Sequence, residues 1–180
     1  MRKYMSLLLL IIGCLMLSSC NISSKEQKMP EIVFVYESSF SYKNEYKIWF
    51  IDKEGNIYYS TDDQVVGNPF QVKIDKFTAG EYDDKMTLVG TVEVSELESY
   101  YKQFIKLTKN KEFELVFPGW GVTAECPWQR WYGLYYDSDE ELKWLLFFEE
   151  DTSEYIPNDT NAVEIEEWMS ELMKETVPKE

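Results

Sequence analysis

Tyr46-Lys-Ile-Trp-Phe-Ile-Asp52, then Lys53-Glu-Gly-Asn56, then Ile57-Tyr-Tyr-Ser-Thr61 is the stretch that decides the fold class. Two runs of β-branched and aromatic residues flank four residues of turn type, the pattern of strand, turn and strand. Asp52 can accept hydrogen bonds at the start of a type I turn. Gly55 can take the left-handed conformation that closes it with a bulge. The stretch predicts a β-hairpin.

Working outward, Glu31-Ile-Val-Phe-Val-Tyr36 reads as a strand before this hairpin. A second hairpin is predicted from Gln129-Arg-Trp-Tyr-Gly-Leu-Tyr-Tyr136, a turn at Asp137-Ser-Asp-Glu-Glu141, and Leu142-Lys-Trp-Leu-Leu-Phe-Phe148. In its first strand Trp131, Gly133 and Tyr135 share one face, while Arg130, Tyr132, Leu134 and Tyr136 share the other. Both sets are largely apolar, which predicts a central strand covered on both sides. Shorter strands are expected near Phe70–Ile74, Thr87–Val94 and Phe113–Phe117.

Helical spacing appears twice. Ser95 with Glu98 has the form of a capping box, followed by an apolar face of Leu97, Tyr101, Phe104 and Leu107. Asn161 and Glu164 repeat that form before Ile165, Trp168, Met169, Leu172 and Met173. The expected fold is α+β, mainly an antiparallel sheet built from hairpins, with a middle helix and a C-terminal helix.

The N-terminus reads differently. Met1-Arg2-Lys3 is a short basic start, an apolar run of about 12 residues ends at Met16, and Leu17-Ser18-Ser19-Cys20 follows. The run matches a signal-peptide core and falls short of the roughly 20 residues needed to span a bilayer. Leu17-Ser18-Ser19-Cys20 resembles the lipobox of bacterial lipoproteins. That resemblance implies cleavage before Cys20, a diacylglycerol on its thiol, and anchoring at the extracytoplasmic side of the cell membrane. Two acyl chains give the stable anchoring that one does not. Phe50–Tyr58 also resembles a hairpin of small uncharacterised bacterial surface lipoproteins, which pair it with a late strand pair and a C-terminal helix. That likeness implies architecture and carries no activity. The expected organisation is a signal peptide at 1–19, a lipidated cysteine and tether at 20–30, and one globular domain at 31–180. As a flexible coil the ten-residue tether reaches roughly 17 Å, keeping the domain near the membrane.

Composition narrows the chemistry. Without residues 1–19 the chain keeps 161 residues, enough for one domain with a real core. Losing Arg2 and Lys3 leaves 16 of the 18 basic residues against all 33 acidic ones, so the formal charge moves from −15 to −17. Such a surface repels phosphate backbones, so nucleic acid is not an expected partner. There is no histidine, which removes the Ser-His-Asp and Cys-His mechanisms and most zinc sites. Cys14 leaves with the signal peptide and Cys20 is lipidated, leaving Cys126 as the sole free thiol without a disulfide partner. It reads as a small buried apolar residue. Nothing in the domain calls for a metal, cofactor or disulfide.

Paired carboxylates are the remaining catalytic vocabulary: Asp62/Asp63, Asp83/Asp84, Asp137/Asp139 and Glu149/Glu150. A glycosidase pair needs two carboxyl groups about 5 to 9.5 Å apart across a cleft. Neighbours on a strand point to opposite faces, which separates Glu149 from Glu150. The others sit in turn-like segments where Asp bonds its own backbone. Asp137-Ser-Asp139-Glu-Glu141 could touch a calcium ion, but it lacks the glycine and terminal glutamate of an EF-hand loop. No catalytic residue is assigned.

The aromatic segment Phe117–Tyr136 is the strongest binding candidate, with Trp120, Trp128 and Trp131 as its tryptophans. Exposed, they would stack on a sugar or a peptide; buried, they would fill the core beneath the sheet. The functional expectation is a non-catalytic, lipid-anchored interaction domain with a protein or glycan partner. The alternative is a small carboxylate-dependent hydrolase acting on cell-envelope material.

Overall fold

A computed structural model describes residues 27–40, 45–62, 74–77, 79–81, 84–116, 128–150 and 154–177. The lipobox, Cys126, Trp120 and the first part of the expected strand at Phe70–Ile74 lie outside the described residues. Residues 74–77 are helical, so Ile74, the described end of that expected strand, is not in one.

The first hairpin forms as expected. β2 (Glu45–Asp52) and β3 (Asn56–Ser60) pair antiparallel, with Phe50 opposite Tyr58 and Ile51 opposite Ile57. Asp52 Oδ1 accepts the backbone N–H groups of Glu54 and Asn56 at 3.0 and 2.8 Å, and Asp52 O accepts from Gly55 N at 3.1 Å. Gly55 has φ +82°, the left-handed region that closes the turn. A Cβ at Gly55 would also run into the carbonyl oxygen of Val92, whose N–H donates to Gly55 O. Gly55→Val should therefore cost about 2–3 kcal/mol, adding a backbone clash to the strain of a side chain at positive φ. A thermal midpoint equal to the parent's would show that the turn is built otherwise.

The second hairpin, β6 (Trp128–Tyr136) and β7 (Leu142–Glu150), reuses the same device. Asp137 Oδ1 accepts from Asp139 N at 2.9 Å and Glu141 N at 3.0 Å. The residue three positions after the aspartate is again left-handed, here Glu140 at φ +61°. Asp137 is thus a turn clasp.

β1 (Ile32–Phe40) lies between the hairpins, pairing with β2 on one side and β6 on the other. β4 (Thr87–Thr91) flanks β3; β5 (Leu115–Val116) and β8 (Glu154–Pro157) continue beyond β7. The order is β4-β3-β2-β1-β6-β7-β8-β5, and every neighbouring pair is antiparallel. The expected strands near 87–94 and 113–117 are shorter than the sequence suggests. Val92 leaves the sheet because its N–H goes to Gly55 O and its side chain enters the core.

Two helices cover one face: α1 (Val94–Lys109) and α2 (Thr160–Thr176). The α1 face is the expected one, with Leu97, Tyr101, Phe104 and Leu107 buried. Its expected capping box is corrected: the helix begins at Val94, Glu93 is the cap residue without a side-chain cap bond, and Ser95 lies inside the first turn. Val92 anchors the chain reversal, so the helix starts without the serine. The α2 start is corrected likewise. Asp159 caps it by accepting from Asn161 N at 2.9 Å, and Asn161 is already helical. An aspartate accepts as well as an asparagine and adds a charge suited to the helix N-terminus. Ile165, Trp168 and Met169 are buried, with Leu172 and Met173 packed beside them. The helices meet where Tyr100 stacks on Trp168, 4.2 Å between ring centroids.

Two cores result, one on each face. Phe34, Trp49, Ile51, Phe104 and Phe147 lie under the helices. Ile32, Val35, Ile48, Phe50 and Leu134 lie on the other side, joined by Ile74 and Phe77.

The capping carboxylates set the acid response. For Asp159, burial pushes its pKa up, but hydrogen bonds from Asn161 and Asn110 outweigh that and hold it below its ordinary value. Desolvation at Asp137 is likewise outweighed by the combined effect of the N–H groups of Glu141 and Asp139 and of Lys143. Groups depressed in the fold contribute stability that is present above their unfolded pKa and lost as pH falls through the folded one. Glu166, raised by burial, has the opposite sign: its contribution is present at low pH and lost as pH rises. The melting temperature should fall as pH drops below about 4. Asp159→Asn should keep the cap and flatten part of that fall; an identical acid profile in the variant would remove Asp159 from the explanation.

Candidate functional site

β6 divides the expected tryptophans between the two faces of the sheet. Trp131 points under the helices and is 2% exposed, packed edge-on against Tyr36 and Phe148 at 4.9 and 5.1 Å. A ring so enclosed is not a stacking platform. Trp128 is half-buried and sits against the Arg130 guanidinium, 4.6 Å from the ring centroid. Trp120 lies outside the described residues.

The sequence reading missed Trp144, which is 47% exposed and stands edge-on to Tyr132 at 5.7 Å. β7 is apolar on both faces, so alternation gave no reason to pick one of its residues as exposed. The distinguishing fact is topological: β8 pairs with β7 only at Glu149 and Glu150. Trp144 is therefore beyond the reach of that pairing.

Between Trp128 and Trp144 runs a charged row. Glu37, Arg130 and Glu149 are register partners across β1, β6 and β7. Arg130 Nε donates to Glu149 Oε1 at 2.7 Å, and Glu37 is 5% exposed. Burial holds the Tyr132 hydroxyl well above its usual range, reinforced by Glu37 and Glu149 and opposed by Arg130. Burial would lower Arg130, but Glu149 and Tyr132 keep its charge even more firmly. A hydrolytic pair needs open space between two carboxylates; here the arginine stands between Glu37 and Glu149. Within the row, Arg130 and Glu149 form an ion pair. Left with one partner removed, it would hold an uncompensated charge, which is far costlier than the intact pair.

Glu150 faces the opposite way. Its Oε2 accepts from Gln129 Nε2 at 3.1 Å, and Gln129 Oε1 accepts from the Tyr36 hydroxyl at 2.7 Å. The Glu149/Glu150 pair is thus split by the pleat, as a persisting strand requires. Burial pushes the Tyr36 hydroxyl up to about 12, with a hydrogen bond from Ser38 opposing and Glu150 and Tyr59 adding to the rise.

Among the described residues no group of three or more Cys, Asp or Glu side chains is placed to hold a metal ion, and no helix is long and apolar enough to cross a membrane. The site chemistry is aromatic and ion-paired, suited to contact. No protein-family model, curated protein or solved structure matches the chain.

Proposed function

We propose that this chain is a lipid-anchored domain on the extracytoplasmic side of the cell membrane, which acts by binding a protein or glycan and performs no catalysis. The observation that carries the anchor is Leu17-Ser18-Ser19-Cys20 behind a basic start and an apolar run too short to span a bilayer. The short polar tether then leads into a domain whose first strand begins at Ile32. Binding rather than catalysis is supported by the strip on the second sheet face. Trp128 and Trp144 offer aromatic surface, and Glu149 between them is paired with Arg130.

Cys20→Ser tests the anchor. The variant should accumulate as uncleaved precursor and lose labelling by a radioactive fatty acid, because no other cysteine follows a lipobox. Normal processing and labelling of Cys20→Ser would end the anchor reading.

A further inference from the structure

The stretch expected to act as a tether ends inside the fold. Gln27 Nε2 donates to the carbonyl of Tyr136 at 3.2 Å, and the Lys28 ammonium lies 5.3 Å from the centroid of the Tyr136 ring, within cation–π range. The Lys28 carbonyl accepts from the Tyr101 hydroxyl at 3.4 Å, and Met29 packs against the core under the helices. Pro30 is buried, and Lys53 N donates to Glu31 O at 3.0 Å. Residues 27–31 are thus strapped to the last residue of β6, to α1 and to the turn of the first hairpin. These contacts lie at one end of the sheet, where β1 begins beside Asp52 and β6 finishes. The turn at 137–141 is at the same end, and Trp128 is at the other.

Distances decide what such a strap does to a lipid-anchored chain. Between Cys20 and Gln27 only residues 21–26 remain. That span is at most about 24 Å at full extension and roughly 15 Å as a flexible coil. β6 is 9 residues long, so Trp128 and Tyr136 stand about 27 Å apart along it. Were the Trp128 end against the headgroups, Gln27 would stand farther from them than the extended tether reaches. Charge does not draw the other end in: its turn carries Asp137, Asp139, Glu140 and Glu141, followed by Lys143, and anionic headgroups would repel it. We propose that residues 27–29 orient the domain on the membrane, with the 137–141 turn toward the bilayer surface and the Trp128–Arg130 end turned outward. This rests on the lipid anchor at Cys20 and deepens the binding reading. Trp144, opposite Leu134, falls in the half near the membrane, and an arriving partner is met at Trp128.

The test places the lipidated chain in phosphatidylcholine vesicles that carry a rhodamine-headgroup lipid and reads energy transfer from a donor dye. The dye sits at Ser138→Cys in the 137–141 turn or at Thr61→Cys beyond β3, both exposed positions at opposite ends of the sheet. Each is made together with Cys126→Ser, so that one free thiol takes the label. Transfer from position 138 should exceed that from position 61 at least twofold. Replacing the strap by Gln27→Gly, Lys28→Gly and Met29→Gly frees the tether up to Pro30 and should bring the ratio close to one. Equal or reversed transfer in the parent overturns the orientation, and a ratio unchanged by the three substitutions overturns the strap as its cause. Should that variant fail to fold, the parent's ratio still decides the orientation. Flotation separates the two readings. A chain that does not float with the vesicles fails the anchor reading and takes this inference with it, whereas a chain that floats with equal transfer overturns this inference alone.

Discussion

Gly133→Ala should destabilise the domain by about 3 kcal/mol, and Gly133→Val should leave no cooperatively folding protein. Gly133 lies in the middle of β6, opposite Phe34 on one side and Leu145 on the other. A Cβ there would overlap three ring carbons of Phe104, which descends from α1 onto the strand. Phe104 is 0% exposed and cannot give way. Phe34, Phe147, Tyr135 and Tyr101 surround it, with ring centroids 5.7 to 6.2 Å away. Overpacking of a closed core costs typically about 1–3 kcal/mol, and a site with no soft direction belongs at the upper end. Chemical denaturation of Gly133→Ala beside the parent measures it. A loss below about 1 kcal/mol would mean that α1 shifts to make room, and that the helix sits less tightly on the sheet than this packing requires.

Gly133 also shows what the sequence withheld. Its neighbours placed it on a strand, and the period-2 reading placed it on the face of Trp131 and Tyr135. That Phe104 occupies the space above it depends on how α1 crosses the sheet, which no local pattern encodes. The hairpins were legible because their turns are local: Asp52 with Gly55, and Asp137 in the second turn, bond groups two and four residues away. The helix faces were legible for the same reason. The helix starts were not, since Ser95 and Asn161 have the right side chains but each is the second residue of its helix. Glu93 and Asp159 take the cap positions through contacts made by Val92 and Asn110. In the candidate site, Trp128 was visible from the sequence. Glu37 was not, because its meeting with Arg130 requires the pairing of β1 with β6 across more than ninety residues.

Trp131→Ala should cost roughly 3–5 kcal/mol, as the truncation of a fully buried aromatic does. Its indole packs between Tyr36 and Phe148 on the helix-covered face. The adjacent rows of that core are already filled, by Trp49 beyond Tyr36 and by Phe147 next to Phe148. Little can collapse into the space, so the cavity adds its own penalty to the lost burial. One factor works the other way: alanine also removes the indole N–H that lacks a protein partner, recovering a part of that cost. The net loss therefore belongs nearer the lower bound. Thermal and urea denaturation of Trp131→Ala beside the parent decide the assignment. An unchanged midpoint would place the ring at the surface and make Trp131 a contact residue after all. The companion measurement is Trp144→Ala, whose ring is half exposed at the far end of the strip. That substitution should leave the midpoint within about 1 kcal/mol of the parent, since an exposed ring has little burial to lose. A loss comparable with that of Trp131→Ala would mean that both tryptophans serve the fold and that the strip offers no aromatic surface at β7.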